Sequence, residues 1–543
     1  MARRACSPEA AVQPPSIFRT AVRRPSLKAR FGAALCAFAL LCPAVAPPAY
    51  AQNNLPALGD PEADDFSVGT ERKLGDQIMR EIRRDPDYID DPVLLEYVQS
   101  LWQPLVTQAR ARGNISADLD SRFAWEPFLV RDPSVNAFAL PGGYIGVHLG
   151  LIAMTATRDE LASVLAHELS HITQRHIARS IASSKRQSLL GLAAMVLGLL
   201  AASRSHSTDA ANAVIAGTQA ATVQGQLNFS RDMEREADRV GFAVMSGAGF
   251  APGGMASMFE KLDHGSRLND SGGFPYLRSH PLTTERIGEA RSRLGTAPAV
   301  APVGVLEHTL AEARARVLMD PRHDALARWQ ALDGDRVSTT LPDKLLSAYE
   351  SALASSLLRD WSRADASIAK TLTLVRGAPN ASPRAERAVL LLQADSLLAR
   401  GAAPRAVEVL QPFAAENSRP VLLALTQAAL APSSNSDPKT LAQRAAELQT
   451  WVAVQPNDAA AWAALGQVWG RLNQPLRSLR AEAESRAALG DLTGAVDRLR
   501  AGQRQARAGG AVDFIDVSVI DARLRDIEAQ RKQIAADEKS GKS

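Results

Sequence analysis

The residues best suited to catalysis lie in one short stretch, His167-Glu168-Leu169-Ser170-His171. In a helix, two histidines four residues apart lie on one face and one turn apart, where both imidazoles can bind a single metal ion. Neutral imidazoles suit Zn²⁺, which lowers the pKa of a bound water towards about 7, and a glutamate between them can take the proton. We therefore expect one zinc ion per chain on His167 and His171, with Glu168 as the general base of a hydrolytic reaction.

A catalytic zinc site uses three protein ligands, and Glu234 is the best candidate for the third. Ser230 can cap a second helix on which Glu234 and Asp238 share one face beside an apolar stripe. Carboxylates that border a buried surface need partners. A metal ion for Glu234, and an imidazole N–H of a ligating histidine for Asp238, would meet that need. The alternative is an exposed helix face whose acids pair with neighbouring arginines.

The elements that must hold these residues begin with the helix around the motif. Thr157 followed by Glu160 is a capping-box pattern, and apolar residues then recur at helical spacing, which predicts one helix over residues 157–179. The same periodicity predicts helices over 68–84 and 92–113. A mainly helical domain is therefore expected around the motif.

Strands are expected ahead of the motif helix, over residues 123–130 and 144–148, joined by a loop over 136–143. Extended peptide substrates of metallopeptidases pair their backbone with a sheet edge beside the metal. We assign the segment that starts with Asn136 and Ala137, and runs to residue 148, to that substrate edge.

Four segments together resemble a known peptidase family. They are the 167–171 motif, Glu234-x-x-x-Asp238, the stretch 136–143 and His280-Pro281-x-x-x-x-Arg286. In this order they are similar to the zinc-peptidase family of HtpX and the CAAX prenyl proteases, and within it to a soluble periplasmic branch that acts in β-barrel assembly. The resemblance is strong over residues 67–294 and holds only in type for the C-terminal half. It implies a gluzincin-like α+β peptidase fold, mainly helical with a small sheet.

The resemblance also implies roles for individual residues. It gives the same three zinc ligands and the same general base as above, and it makes Asp238 either a residue behind the ligands or a proton donor. It marks His280 and Arg286 as residues that border the site. A lone histidine in a loop is usually structural or solvated. Next to the metal, His280 could instead be a fourth ligand that must leave, or a donor to the developing oxyanion.

Residues 1–51 differ in composition from the rest of the chain. They carry seven basic residues and one acid, then an apolar run over 31–41 and the sequence Ala49-Tyr50-Ala51, which predicts a secretory signal cleaved before Gln52. All three cysteines lie in this segment. Its net charge is +6, so without it the chain changes from +4 to about −2, and nothing argues for nucleic-acid binding. We expect a cysteine-free protein in the periplasm.

A second apolar run covers residues 189–202. It is well short of the roughly 20 residues that span a bilayer. Two interpretations stay open for it: a buried or re-entrant hydrophobic helix, and a hairpin that gives peripheral membrane contact.

Residues 305–543 are predicted to be almost entirely helical, after a linker at 295–304 rich in alanine, proline and valine. The stretch 462–469, Trp-x-x-Leu-Gly-x-x-Trp, matches the tetratricopeptide pattern with tryptophan in place of tyrosine. Segments 401–406 and 490–495 repeat the expected turn between helices. Stacked helix pairs of this kind form a concave surface that suits protein chains.

The sequence therefore predicts an exported zinc peptidase. Its expected parts are a signal peptide 1–51, a peptidase domain 52–294, a linker 295–304 and an all-α tetratricopeptide-like solenoid 305–543. Expected partners are protein substrates, namely outer-membrane proteins or their assembly machinery, and no nucleic acid. The rival class is a chaperone or assembly scaffold in which the solenoid does the essential work and proteolysis is latent. Retention of Glu168 favours chemistry, because a scaffold does not need a water-activating carboxylate.

Overall fold

The structure, a computed structural model, describes residues 66–540 except for 184–229, 269–272, 296–303, 336–339, 417, 433, 435 and 509–512. The predicted signal segment 1–51 and the apolar run 189–202 therefore lie outside the described residues. Among the helices that the structure does describe, none combines the length and the hydropathy needed to cross a bilayer.

The first half of the described chain combines helices with one small sheet. Its elements are α1 (Val68–Ile82), β1 (Tyr88–Ile89), α2 (Pro92–Ala111), α3 (Ala117–Arg122), β2 (Glu126–Val130), β3 (Ala137–Leu140), β4 (Tyr144–His148), α4 (Leu149–Met154), α5 (Arg158–Thr173), α6 (His176–Ser183), α7 (Arg231–Gly247), α8 (Gly253–Leu268), α9 (Tyr276–Ser279) and α10 (Thr284–Leu294). The prediction of a mainly helical fold with a small sheet is confirmed for this part.

The sheet has four strands in the order β1-β2-β4-β3; β2 and β4 are parallel, and the outer strands are antiparallel to their neighbours. The predicted loop over 136–143 is wrong for residues 137–140. These residues form the edge strand β3, because they pair with β4 across a turn at Gly142 and Gly143, both of positive φ. β2 begins later than predicted because Trp125 has a left-handed backbone, with φ 50°, which interrupts the extended chain.

The motif helix is shorter than predicted. α5 ends before a left-handed residue, Arg175 with φ 52°, and α6 starts at His176, so the predicted single helix over 157–179 is wrong. At the other end the Thr157 hydroxyl accepts the N–H of Glu160, as the capping pattern predicts. The start of the helix could thus be recognised in the sequence, whereas its end depends on one unusual backbone angle.

Every element of the second half is helical within the described residues. These elements are α11 (Val305–Met319), α12 (His323–Asp335), α13 (Leu341–Leu357), α14 (Trp361–Arg376), α15 (Pro383–Ala399), α16 (Ala403–Leu410), a 3₁₀ turn (Gln411–Phe413), α17 (Arg419–Leu430), α18 (Pro438–Val454), α19 (Ala459–Arg471), α20 (Pro475–Ala488), α21 (Leu492–Arg507) and α22 (Phe514–Ser540). Gly401 and Gly490, at the turns predicted from the sequence, both have positive φ. The all-helical prediction is confirmed.

The helix α11 belongs to two hydrophobic cores. Ala311 and Ala315 pack into the core of the first half, whereas Leu306, Leu310 and Val317 pack into the core of the second half. Residues that follow the predicted linker therefore complete the packing of the part that precedes it.

Candidate active site

Two packed helices carry the residues predicted to bind metal. α5 supplies His167 and His171, whose side chains are fully buried and whose Nε2 atoms lie 3.0 Å apart. α7 packs along α5, and Gly241 permits this because a Cβ there would lie 3.0 Å from the carbonyl oxygen of Ala166. The helices thus approach closely enough for side chains of α7 to reach both imidazoles.

Glu234 is the α7 side chain that reaches them. Its carboxylate oxygens lie 3.5 Å from Nε2 of His167 and 3.5 Å from Nε2 of His171. A tetrahedral zinc ion with bonds of about 2.0–2.1 Å separates its ligands by about 3.3 Å, so the spacing of these donors suits that ion. Burial opposes ionisation of Glu234, but the imidazoles of His280 and His167 outweigh it and hold the pKa of this carboxyl well below its usual range.

A fourth donor, His280, lies in the same group. It follows α9, and its Nδ1 lies 2.9 Å from Glu234 Oε1 and 3.3 Å from His167 Nε2. Its ring stacks on the buried Tyr276, with 4.7 Å between the centroids. One donor atom from each of the four side chains lies within 4.8 Å of the other three. The structure therefore places His280 among the donors, whereas the sequence left its role open.

Glu168 faces this group from α5. Its Oε2 accepts the backbone N–H of Ala139 at 3.0 Å, which ties the carboxylate to β3. Its Oε1 is buried, has no hydrogen bond from any described residue and lies 3.4 Å from Nε2 of His280. Burial raises the pKa of the Glu168 carboxyl, which makes it a better proton acceptor.

Asp238 and Arg286 lie behind His167. The Nδ1 of His167 is 2.9 Å from Asp238 Oδ1. Arg286 donates to both oxygens of Asp238, from Nε at 2.7 Å and from Nη2 at 2.8 Å, and its Nη1 lies 2.8 Å from Glu234 Oε2. Burial opposes ionisation of Asp238, but His167 and Arg286 hold the pKa of its carboxyl below the usual range.

These carboxylates also act on His167 itself. Burial opposes protonation of His167, but Asp238 and Glu234 outweigh it and raise the pKa of the imidazole to about 9. A metal ion that binds Nε2 of His167 must displace the proton on that atom. Metal binding at this site is therefore expected to release a proton near neutral pH.

Sequence reasoning missed one more histidine beside the ligands, His176. Its Nδ1 lies 3.0 Å from Nδ1 of His171, and its Nε2 lies 3.1 Å from Glu236 Oε2. Burial lowers the pKa of His176 to about 4, so the ring is neutral at neutral pH. In one continuous helix this residue would lie about 140° around the axis from His171. The left-handed turn at Arg175 brings the two rings together, and no spacing pattern in the sequence signals that turn.

The predicted substrate edge lies beside Glu168. β3 is the outer strand, and the N–H of His148 donates to the carbonyl oxygen of Asn136. In an antiparallel pair alternate residues turn their peptide groups away from the partner strand, so Ala137 and Ala139 face outwards. Ala139 uses this direction for its hydrogen bond to Glu168. The edge and the carboxylate are thus held in fixed register.

The donor set defines a class of protein. Two imidazoles and a carboxylate, at the spacing of a tetrahedral ion, fit a divalent metal. Glu168, with one buried oxygen that no described residue bonds, fits a proton acceptor beside that metal. A helix that carries both parts in this order is the mark of a metallopeptidase.

Comparison with known proteins gives the family. Residues 97–294 match the sequence profile described as peptidase family M48. The chain therefore carries a metallopeptidase domain of family M48. This match includes the motif, the Glu234 and Asp238 pair, and His280 with Arg286.

Three relatives extend the comparison. The chain is 35% identical over 248 residues to the Beta-barrel assembly-enhancing protease of Escherichia coli strain K12, covering 45% of this chain and 48% of that protein. A Vibrio cholerae protein that carries the same name provisionally is 36% identical over 335 residues, which cover 60% of this chain and 66% of that protein. The Mitochondrial metalloendopeptidase OMA1 of Saccharomyces cerevisiae is 30% identical over 195 residues, or 35% of this chain and 53% of that protein. The chain thus matches between about half and two thirds of each relative's length.

Proposed function

We propose that this chain is an exported, zinc-dependent peptidase that hydrolyses peptide bonds in protein substrates, in the periplasm, and that it serves the assembly and quality control of outer-membrane proteins. The observation that carries the proposal is the convergence of four donor side chains within 4.8 Å, beside a buried glutamate one of whose oxygens has no hydrogen bond from the described residues. His167, His171 and Glu234 would hold the ion. Zinc bound there would supply a Lewis acid that polarises the scissile carbonyl and acidifies water.

Glu168 moves the protons in this proposal. Its Oε2 stays bonded to Ala139, while Oε1 is directed to the donor group and takes the proton of the attacking water. The same oxygen then returns that proton to the nitrogen of the departing amine. The raised pKa of the carboxyl suits both steps, since a group must accept and release a proton near neutral pH.

Asp238 acts in our proposal through His167. It binds the Nδ1–H of this ligand, which fixes the ring so that its other nitrogen faces the ion. Arg286 neutralises Asp238 and contacts Glu234, so it joins the layer behind the ligands to a ligand itself.

His280 has two roles that an experiment can separate. If His280 is a fourth ligand that must leave, His280→Ala should weaken zinc binding. If His280 is a donor to the developing oxyanion, His280→Ala should leave zinc affinity unchanged and slow peptide cleavage.

The substrate peptide is proposed to pair with β3. The outward peptide groups of this strand are those of Ala137 and Ala139, and the N–H of Ala139 binds Glu168, so a strand added at Ala137 would run past the metal site. Choice of substrate is proposed to come from the helical second half. Support for a role in outer-membrane assembly comes from the names of the Escherichia coli and Vibrio cholerae relatives.

The decisive test uses the purified full-length protein and a misassembled outer-membrane protein. The wild-type protein should digest it, and a zinc chelator should stop the digestion. The Glu168→Gln variant is the matched control, because it keeps every ligand and loses the base. If this variant supports outer-membrane assembly as well as the wild type does, the scaffold function is favoured and our proposal is wrong.

A further inference from the structure

His176 is the first residue of α6 and is fully buried. Its two ring nitrogens contact groups of different kinds, since Nδ1 faces Nδ1 of His171 at 3.0 Å and Nε2 faces Glu236 at 3.1 Å. Glu236 also accepts a hydrogen bond from Arg179 at 3.0 Å. These four side chains connect α5, α6 and α7 in one continuous line that ends at the metal site.

The protons along this line can be placed from the carboxylate inwards. An ionised carboxylate only accepts, so the Nε2 of His176 must carry the proton that it donates to Glu236. The neutral ring then has a lone pair at Nδ1, which accepts the Nδ1–H of His171. His171 in turn has its lone pair on Nε2, the atom that lies 3.5 Å from Glu234. One tautomer is therefore selected for the whole line, and it is the one that a metal ligand needs.

The other imidazole of the site is held more directly. Nδ1 of His167 meets a carboxylate, Asp238, without an intermediate. Glu236 is two residues before Asp238 on α7, and residues two apart in a helix point about 200° apart. Glu236 is thus directed to another side of α7, and the ring of His176 spans the remaining distance to His171.

We propose that His176, itself held by Glu236, is a positioning residue that fixes the tautomer and ring orientation of His171 and thereby raises the affinity of the site for zinc. The inference deepens the proposed function, since it takes zinc to be the bound ion. It explains why the chain breaks its helix at Arg175. Without that turn the imidazole would face another direction, and Nδ1 of His171 would lose this acceptor.

The test measures the dissociation constant for zinc in the full-length protein, by competition with a chromophoric chelator. His176→Leu should weaken zinc binding about 10- to 100-fold, the range found when a group behind a metal ligand is removed. His176→Gln should lose less, because its amide can both accept and donate. Glu236→Gln should lose less than His176→Leu, and the double variant should match His176→Leu, because the inference requires Glu236 to affect zinc affinity only through the ring of His176. The control is Asp232→Asn, which changes an exposed acid on α7, the helix that carries Glu236.

A second readout separates positioning from mere stabilisation. The visible absorption of the cobalt-substituted protein reports ligand geometry, and it should change in His176→Leu and recover partly in His176→Gln. A zinc affinity within twofold of wild type in His176→Leu, with only a lower unfolding temperature, would overturn the inference. Equal losses in the Leu and Gln variants would overturn it as well. If the Leu variant does not fold, the Gln and Glu236 variants decide.

The proposed function and this inference can fail separately. A wild-type protein that binds zinc but cuts no peptide refutes the proposed function. The ratio of zinc affinities between variant and wild type decides the role of His176, whatever the hydrolytic activity is.

Discussion

The junction of the two halves and the metal site each contain a group of charged side chains, and the two groups are built in opposite ways. At the junction of the two halves, Arg314 donates to both oxygens of Asp91 at 2.8 and 2.7 Å and to the hydroxyl of Tyr349 at 3.1 Å. Arg419 binds both oxygens of Asp90 at 2.7 Å each, and Asp458 as well. Each guanidinium nitrogen of these two arginines has an oxygen partner, so the junction is complete without any further group.

At the metal site, nitrogen atoms face each other instead. His167 and His171 present Nε2 atoms to each other at 3.0 Å, while their Nδ1 atoms face Asp238 and His176. When both Nδ1 atoms carry protons, the two Nε2 atoms can face each other only with a cation between them, either the proton that the raised pKa of His167 retains or a metal ion that displaces it. In this chain, charges whose partners are all present thus mark a structural joint, whereas converging donor atoms mark a site for an ion.

The largest effect is expected for the base. Glu168→Gln should lower peptide hydrolysis by about 100- to 10,000-fold, because a neutral amide cannot take the proton from water. Its zinc content should stay at the wild-type level, since His167, His171 and Glu234 are unchanged. Metal analysis and a fluorogenic peptide assay on the same preparation check this. Cleavage near the wild-type rate by a zinc-loaded variant would contradict the assignment.

A substitution at the junction of the two halves should lower the stability of the protein instead of its hydrolytic activity. Arg314→Met leaves the Asp91 carboxylate buried without its partner, and such a change costs about 3–5 kcal/mol in the free energy of unfolding. The double variant with Asp91→Asn should recover part of this loss. Urea unfolding measures both, and zinc affinity of the folded fraction should not change. A loss below about 1 kcal/mol would mean that water already reaches this pair.

Several features of this fold could be predicted from the sequence. Local patterns sufficed for the start of α5 at Thr157, for the capping of α7 by Ser230 and for the mainly helical fold. Glu234 and Asp238 could be placed on one face from spacing alone. These features depend on neighbouring residues within one helix, which is the information that periodicity contains.

Features that depend on the path of the chain could not be predicted from local patterns. Only the family resemblance marked His280 as bordering the site, and it reaches the donors because the segment before it is tied to Val135, which donates to the carbonyl oxygen of Gly273 at 3.0 Å. His176 reaches His171 only through the left-handed Arg175. β3 was missed because four residues beside a glycine turn pair only when β4 is present. Each is a tertiary contact, and no local propensity encodes it.

A smaller change at the site should separate affinity from stability. Asp238→Asn should weaken zinc binding about 10- to 100-fold, because the layer behind His167 loses the charge that Arg286 and the imidazole both contact. Asp91→Asn is the matched variant at the junction, and it should lower stability without changing zinc affinity. Competition titrations and urea unfolding on both proteins test this. If both variants change the same property, the distinction between the two charge groups is wrong.

The last prediction concerns His308, which joins the halves through a carbonyl and a hydroxyl group. Its Nε2 lies 2.8 Å from the carbonyl oxygen of Thr155, and its Nδ1 lies 2.7 Å from the hydroxyl of Tyr97. The neutral ring donates to the carbonyl and accepts from the tyrosine, and burial lowers the pKa of His308 from 6.5 to about 4. Between these two pKa values the unfolded chain binds a proton that the folded chain does not, so the free energy of unfolding must fall as the pH is lowered from 6.5 to about 4.

His308→Gln removes this contribution, and the curve of its free energy of unfolding against pH should be shallower by up to about 1.4 kcal/mol per pH unit in that range. Urea unfolding of both metal-free proteins at several pH values isolates the difference, because every other titrating group is shared. Parallel curves would show that protonated His308 is accommodated at the junction, which would then be less rigid than its saturated arginines indicate.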